Sequence, residues 1–353
     1  MIAFLTTLLF GNVSADPAAD PDTALKEWLG KRTGAVAMAR VTAQGVTFHQ
    51  AGQLSPEHPE PPTPDTQWEI GSVTKVFTGI LLAKSEAAGK VSRNDPAAKF
   101  LLPADDPDIA RFQKITLLSL TTHTSGLPRL PKNMKLWWVE DPYAKYNGKL
   151  LIEGFRKHGP VASGAEEVGY SNFGVGLLGE ALGKAWGKSY AEVLPEQILQ
   201  PLGLNQTTLA MAGQAAPANF APPLEKGKTT NRWTFDSVAP AGALISSTRE
   251  MALFLQACMG QRDTPLKESL EESMKPLKPT DDFPGSVGMG WFTLDGEKPV
   301  IWHNGATGGF QSFLGFCPVI KEGVVLLTNC GKGPDGFGIK LLKGNDSQEP
   351  GGR

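Results

Sequence analysis

The 353-residue sequence is poor in cysteine, tyrosine and histidine, with three, four and five of them. Cys258, Cys317 and Cys330 are odd in number and lack C-x-x-C spacing, so at least one thiol has no partner within the chain. No cystine framework is needed at this length, which buries roughly three quarters of the unfolded surface. His49, His58, His123, His158 and His303 are scattered, with no H-E-x-x-H and no His-Cys cluster at helical spacing, so no metal or other cofactor is expected. A surplus of one charge is missing too. The 34 Lys and Arg against 36 Asp and Glu give a formal −2, without the basic cluster that nucleic acid or an anionic bilayer requires. Lys, Glu, Asn or Gly interrupts every apolar stretch before the ~18 residues of a membrane span, so stable membrane insertion is not expected either. G-x-S-x-G, the nucleophile turn of α/β-hydrolases, does not occur. What is left is the make-up of a soluble enzyme of one or two domains, 41% hydrophobic and 20% charged.

Residues 2–10 form an apolar run followed by Val13-Ser14-Ala15 and Asp16-Pro17. This is the pattern of a secretory signal with an A-x-A-like cleavage point, although no Lys or Arg precedes it. The alternative is an apolar, frayed terminus. The export reading assigns residues 1–15 to a signal and the mature protein to the periplasm or the medium.

Residues 24–31 read as a short helix, and 34–41 with 45–51 as a β-hairpin around Thr42-Ala43-Gln44. Near the other end, 289–294, 309–316 and 323–328 are β-rich runs and 337–342 a short helix. Two strands cannot form a stable sheet alone, so both ends are expected to share one. Between them the pattern is helical: 73–88, 173–186 and 247–259 each end at a glycine. The expected class is α/β (α+β), an antiparallel sheet flanked by helices with a large inserted all-helical domain. Residues 24–90 and 235–345 form the discontinuous outer part, 91–234 the insertion, and 346–353 a disordered tail.

Gly71-Ser72-Val73-Thr74-Lys75 opens an apolar helix, where positions i and i+3 share a face, so the Ser72 hydroxyl and the Lys75 amine can meet. A serine hydroxyl is a feeble nucleophile until a neighbour takes its proton, and a desolvated lysine can do so. The bland reading is a capping serine and a snorkelling lysine. Tyr170-Ser171-Asn172 precedes the helix from residue 173. Asn172 there is either a plain N-cap or an amide that orients a substrate carbonyl, while Tyr170 relays a proton. Trp302-His303-Asn304-Gly305-Ala306-Thr307-Gly308-Gly309-Phe310 leads into an apolar strand. His303 is either a solvated turn residue or a ligand contact, and edge-strand N–H groups there could face an oxyanion.

Taken in order, Ser72-x-x-Lys75, Tyr170-x-Asn172 and His303-x-Gly305 resemble the motifs of the penicillin-recognising serine hydrolases. Within them the chain is similar to class C β-lactamases, to D-alanyl-D-alanine carboxypeptidases with a Y-S-N motif, and to esterases related to class C enzymes. The resemblance runs from about Ala24 to Leu342 and includes Trp68-Glu69-Ile70, the stretch LSLTTHTSGLP (118–128), Pro201-Leu202-Gly203-Leu204 and Pro240-Ala241-Gly242-Ala243. It implies Ser72 as the acylated nucleophile, Lys75 as its proton acceptor and Tyr170 as the carrier of protons to the leaving group, with lysine or tyrosine open as the base. It also implies Asn172, His303, Gly305 and Ala306 as substrate contacts. The backbone N–H groups of Ser72 and Ala306 would form the oxyanion hole, worth roughly 3–4 kcal/mol per donor. His303 stands where class C enzymes usually carry lysine, and Leu130 where they commonly carry glutamine, which argues against strong cephalosporinase activity. The expected partner is a small-molecule substrate (β-lactam, acyl-D-Ala peptide or ester) acted on by a monomer. Three functions compete: an amide or β-lactam hydrolase, a carboxylesterase, and a non-catalytic penicillin-binding sensor.

Overall fold

The computed structural model describes residues 20–134, 141–158 and 167–344. The expected signal over 1–15 and the expected tail over 346–353 lie outside the described residues. Among the described residues, the helices of nine or more residues are α1 (Pro21–Leu29), α2 (Thr74–Ala87), α3 (Gly148–His158), α4 (Asn172–Trp186), α5 (Thr248–Cys258) and α6 (Asp335–Lys343). None is long and apolar enough to cross a membrane.

The main sheet joins both ends of the chain, as expected. It contains β1 (Ala35–Thr42) and β2 (Gly45–Gly52), then β3 (Lys278–Thr280), β4 (Gly285–Val287), β5 (Phe292–Leu294), β6 (Val300–Ala306), β7 (Gln311–Cys317) and β8 (Glu322–Thr328). Their order is β2-β1-β8-β7-β6-β5-β4-β3, with neighbours antiparallel. Alternation along β1 sorts its side chains. Ala35, Ala37, Ala39 and Val41 join the core shared with α2 and α5, while Val36 and Met38 face the layer of α1 and α6, where Trp28 stacks on Phe337. In the first layer Phe77 of α2 stacks on Phe254 of α5 with ring centres 4.5 Å apart. Truncating either ring would cost about 3–5 kcal/mol.

Two expectations shift at their edges. The β run over 289–294 is a strand only from Phe292, because Gly290 turns at φ 76° against the Lys75 carbonyl, where a Cβ would lie 2.3 Å away. The middle of the chain is mainly helical, yet it also holds the short strands Thr208–Leu209, Leu224–Glu225 and Lys228–Thr229. It is therefore not all-helical.

Candidate active site

The turn that carries Ser72 is built by a glycine. Gly71 takes φ 51° in a 3-10 turn, Gly71–Val73, and an added Cβ would lie 2.8 Å from Ala306 N. Thr74 locks the turn: its hydroxyl donates to Gly71 O at 2.7 Å and accepts Leu244 N–H at 3.0 Å. Ser72 is thereby shown half-buried at the head of α2, with Lys75 one turn on. Nζ of Lys75 is 2.9 Å from Ser72 Oγ and 2.6 Å from Ala241 O. Lys75 is 1% exposed. Burial, joined by the charge of Arg129, holds its pKa well below the usual lysine range. Nζ donates to both Ser72 Oγ and Ala241 O, and on losing a proton it could turn a lone pair to the Ser72 hydroxyl while keeping its N–H on Ala241 O.

The second wall carries Tyr170. Of the two readings of Asn172, the plain N-cap of the following helix is the one the structure corrects. Ser171, with extended φ of −134°, caps α4 by accepting Gly174 N–H at 2.8 Å and donates its hydroxyl to Pro128 O at 2.7 Å. Asn172 is the first helical residue, and its Oδ1 is buried without a partner among the described residues. The Tyr170 ring lies 4.7 Å from Lys75 Nζ and 5.1 Å from the guanidinium carbon of Arg129, measured to the ring centre. Burial pushes the Tyr170 hydroxyl pKa up, partly offset by a hydrogen bond with Ser72 and by the Arg129 charge. Tyr170 is therefore a neutral phenol at pH 7.

The third wall is β6, and here the structure corrects two expectations. This strand is internal, between β7 and β5, not an edge. Its pairing with β5 nevertheless ends at Trp302 opposite Phe292, so residues 303–306 have a paired strand only on the β7 side. Gly305 packs so closely on the Ser72 segment that a Cβ would lie 2.0 Å from Ile70 O, and Ser312 donates its hydroxyl to the same carbonyl at 2.8 Å. The second correction concerns His303, which is not a solvated turn residue. It is 1% exposed, its ring stacked 4.8 Å from that of Phe292. Burial, then the nearby Lys75 charge, pulls its pKa down to about 3. Nδ1–H donates to Asn304 O at 2.5 Å, and Nε2 is buried without a partner among the described residues. An imidazolium holding a substrate carboxylate does not fit this neutral ring.

The site thus brings together Ser72, Lys75, Tyr170, Asn172, His303, Gly305 and Ala306. It also contains groups that sequence reasoning missed. His123, buried with φ 60°, accepts Ser171 N–H on Nδ1 at 3.2 Å, and its carbonyl accepts Gly169 N–H at 2.7 Å. Tyr143 stacks on Phe235 with centres 5.0 Å apart, and Asn172 hydrogen-bonds its hydroxyl. The Ala241 carbonyl holds Lys75. His123 and Ala241 lie inside phrases already noted for the resemblance, but their partners are more than forty residues away in sequence.

Comparison with known proteins agrees with this layout. The chain is 26% identical over 319 residues to the D-alanyl-D-alanine-carboxypeptidase/endopeptidase AmpH of Escherichia coli K12, covering 84% of this chain and 80% of that protein. It is also 26% identical over 309 residues to a beta-lactamase of the same strain, covering 76% and 77%. Among solved structures, a class C beta lactamase from Rhodobacter sphaeroides superposes with a TM-score of 0.76 at 22% identity, covering 90% of this chain and 95% of that one. An octameric penicillin-binding protein homologue from Pyrococcus abyssi gives 0.73 at 24%, covering 88% and 74%. The beta-lactamase family matches residues 22–343, and to that family, within the serine beta-lactamase and penicillin-binding superfamily, this chain belongs.

Proposed function

We propose that this protein is a serine hydrolase that forms an acyl-enzyme on Ser72 with amides of the acyl-D-Ala type and with β-lactams. The observation that carries the reading is the 2.9 Å contact between Ser72 Oγ and the buried amine of Lys75, whose pKa burial holds well below the usual lysine range. In the acylation step Oγ attacks the substrate carbonyl carbon as its proton passes to Nζ. The oxyanion settles between the N–H groups of Ser72 and Ala306, which the close fit of Gly71 and Gly305 supports. Tyr170, a neutral phenol between Nζ and the open site, gives its proton to the departing nitrogen and regains one from Lys75. Water then attacks the ester by the same route reversed, restoring Ser72. Asn172 orients the substrate amide with an Oδ1 that takes no hydrogen bond among the described residues. The apolar run over residues 2–10 supports placing this chemistry in the periplasm or outside the cell.

A carboxylesterase is the second reading. It is favoured by the neutrality of His303, which removes a cation from the place where class C enzymes usually carry lysine. Turnover of nitrocefin, a D-Ala-D-Ala peptide and p-nitrophenyl butyrate, measured side by side, separates these readings. Faster kcat/KM on the peptide or nitrocefin is expected. Turnover of the butyrate alone would select the esterase, and penicillin labelling without turnover of anything would select the sensor.

A further inference from the structure

We infer that Arg129 is an anion subsite at the mouth of the site, where its guanidinium takes a carboxylate carried by the substrate; the inference rests on the acyl-enzyme reading of Ser72. His303 is buried and neutral, and Lys75 is buried with its nitrogen committed to Ser72 and Ala241. Neither is free to meet an incoming anion.

Arg129 differs from the other described arginines. Arg40, Arg93, Arg111, Arg156 and Arg249 each pair with a carboxylate, and Arg32, Arg232 and Arg262 each donate to a carbonyl. Arg129 is exposed and has no ion pair or side-chain hydrogen bond among the described residues. Its backbone is nevertheless held, because its carbonyl accepts the N–H groups of Asn172 at 3.0 Å and Phe173 at 3.2 Å, which anchors the main chain to the first turn of α4. The guanidinium carbon sits 5.1 Å from the centre of the Tyr170 ring, on the wall that would carry protons to the leaving group. Its charge reaches into the site, favouring the deprotonated forms of Lys75, Tyr143 and Tyr170. A guanidinium stacked on an aromatic face keeps its edge donors free, and their planar fork matches both oxygens of a carboxylate.

The carboxylate could belong to the acyl part or to the leaving group, so the test has two arms. Wild type, Arg129→Gln and Arg129→Lys are assayed on p-nitrophenyl glutarate, with its carboxylate on the acyl part, and on 3-(butyryloxy)benzoate, with its carboxylate on the leaving group. Each kcat/KM is divided by that for neutral p-nitrophenyl butyrate. Any change in the basicity of Lys75 acts on all three esters and cancels in the ratio. Arg129→Gln should lower the ratio by about fivefold or more in at least one arm, Arg129→Lys should recover part of it, and salt should weaken the wild-type preference. The arm that responds locates the carboxylate. A fall smaller than about fivefold in both arms overturns the subsite. Wild-type turnover of the neutral ester reports on Ser72 itself. Absence of turnover of this ester, of nitrocefin and of the D-Ala-D-Ala peptide alike would remove the acyl-enzyme reading and the subsite together, whereas turnover with unchanged ratios removes the subsite alone.

Discussion

His123 accepts the backbone N–H of Ser171 on its Nδ1 at 3.2 Å, and its ring packs 4.6 Å from that of Tyr170. Burial, with the Lys75 charge next, holds this imidazole well below its usual pKa, which keeps Nδ1 available as an acceptor at neutral pH. His123→Ala would leave a buried N–H without an acceptor, at a cost of about 1–3 kcal/mol. It should lower Tm and reduce kcat more than it raises KM, because Tyr170 loses its support. His123→Asn, which tolerates the left-handed backbone and still offers an acceptor, should recover part of the loss. An alanine variant with unchanged kcat would refute the supporting role.

The burial of Lys75 sets a pH profile. Its acceptor form is the neutral amine, so kcat/KM for a neutral ester should rise with pH through the lowered lysine pKa and stay flat above it. A rate that keeps climbing to about pH 10, the ordinary lysine value, would contradict this assignment. Lys75→Ala and Tyr170→Phe should each lower kcat/KM by at least ~10²-fold.

Glu69, three residues before Ser72, is 2% exposed and accepts Trp233 N–H at 2.9 Å. Burial raises its pKa to about 7. Because the folded pKa lies above the unfolded one, the folded state holds the extra proton between the two values. Stability contributed by this carboxyl is therefore present below the unfolded pKa and declines as pH rises towards the folded value of about 7. Glu69→Gln should raise Tm relative to wild type at pH 8 and do so least at pH 5, by thermal melts at both. An equal effect at the two pH values would contradict a raised pKa.

Much of this arrangement is local and was legible in the sequence. The Ser72 and Lys75 pair follows from helical spacing, and the β1–β2 hairpin from its two flanking runs and Gly45. The near-absence of tyrosine left few candidates besides Tyr170. Other parts are tertiary. His303 reads as polar, yet Phe292 of β5 and the Tyr170 wall bury it, and nothing in its neighbours in sequence announces that. The choice of Ser171 over Asn172 as helix cap turns on where the chain leaves the His123 loop, which is again a contact between distant segments. Arg129 stands out only once the partners of the other arginines are known.

Strand register also decides the cysteines. In the β7–β8 hairpin Cys317 lies opposite Glu322, while Cys330 follows Thr328 at the far end, and all three cysteines are free thiols. A non-reducing peptide map should show no link between Cys317 and Cys330, and finding one would overturn the register.

The most direct measurement is the intact mass of the protein after exposure to a fluorescent penicillin, for wild type and Ser72→Ala. Wild type should gain the mass of one penicillin, with the adduct on the peptide containing Ser72, and Ser72→Ala should gain nothing and hydrolyse no substrate. An adduct of the same mass on the alanine variant, or one on another residue of the wild type, would contradict Ser72 as the nucleophile.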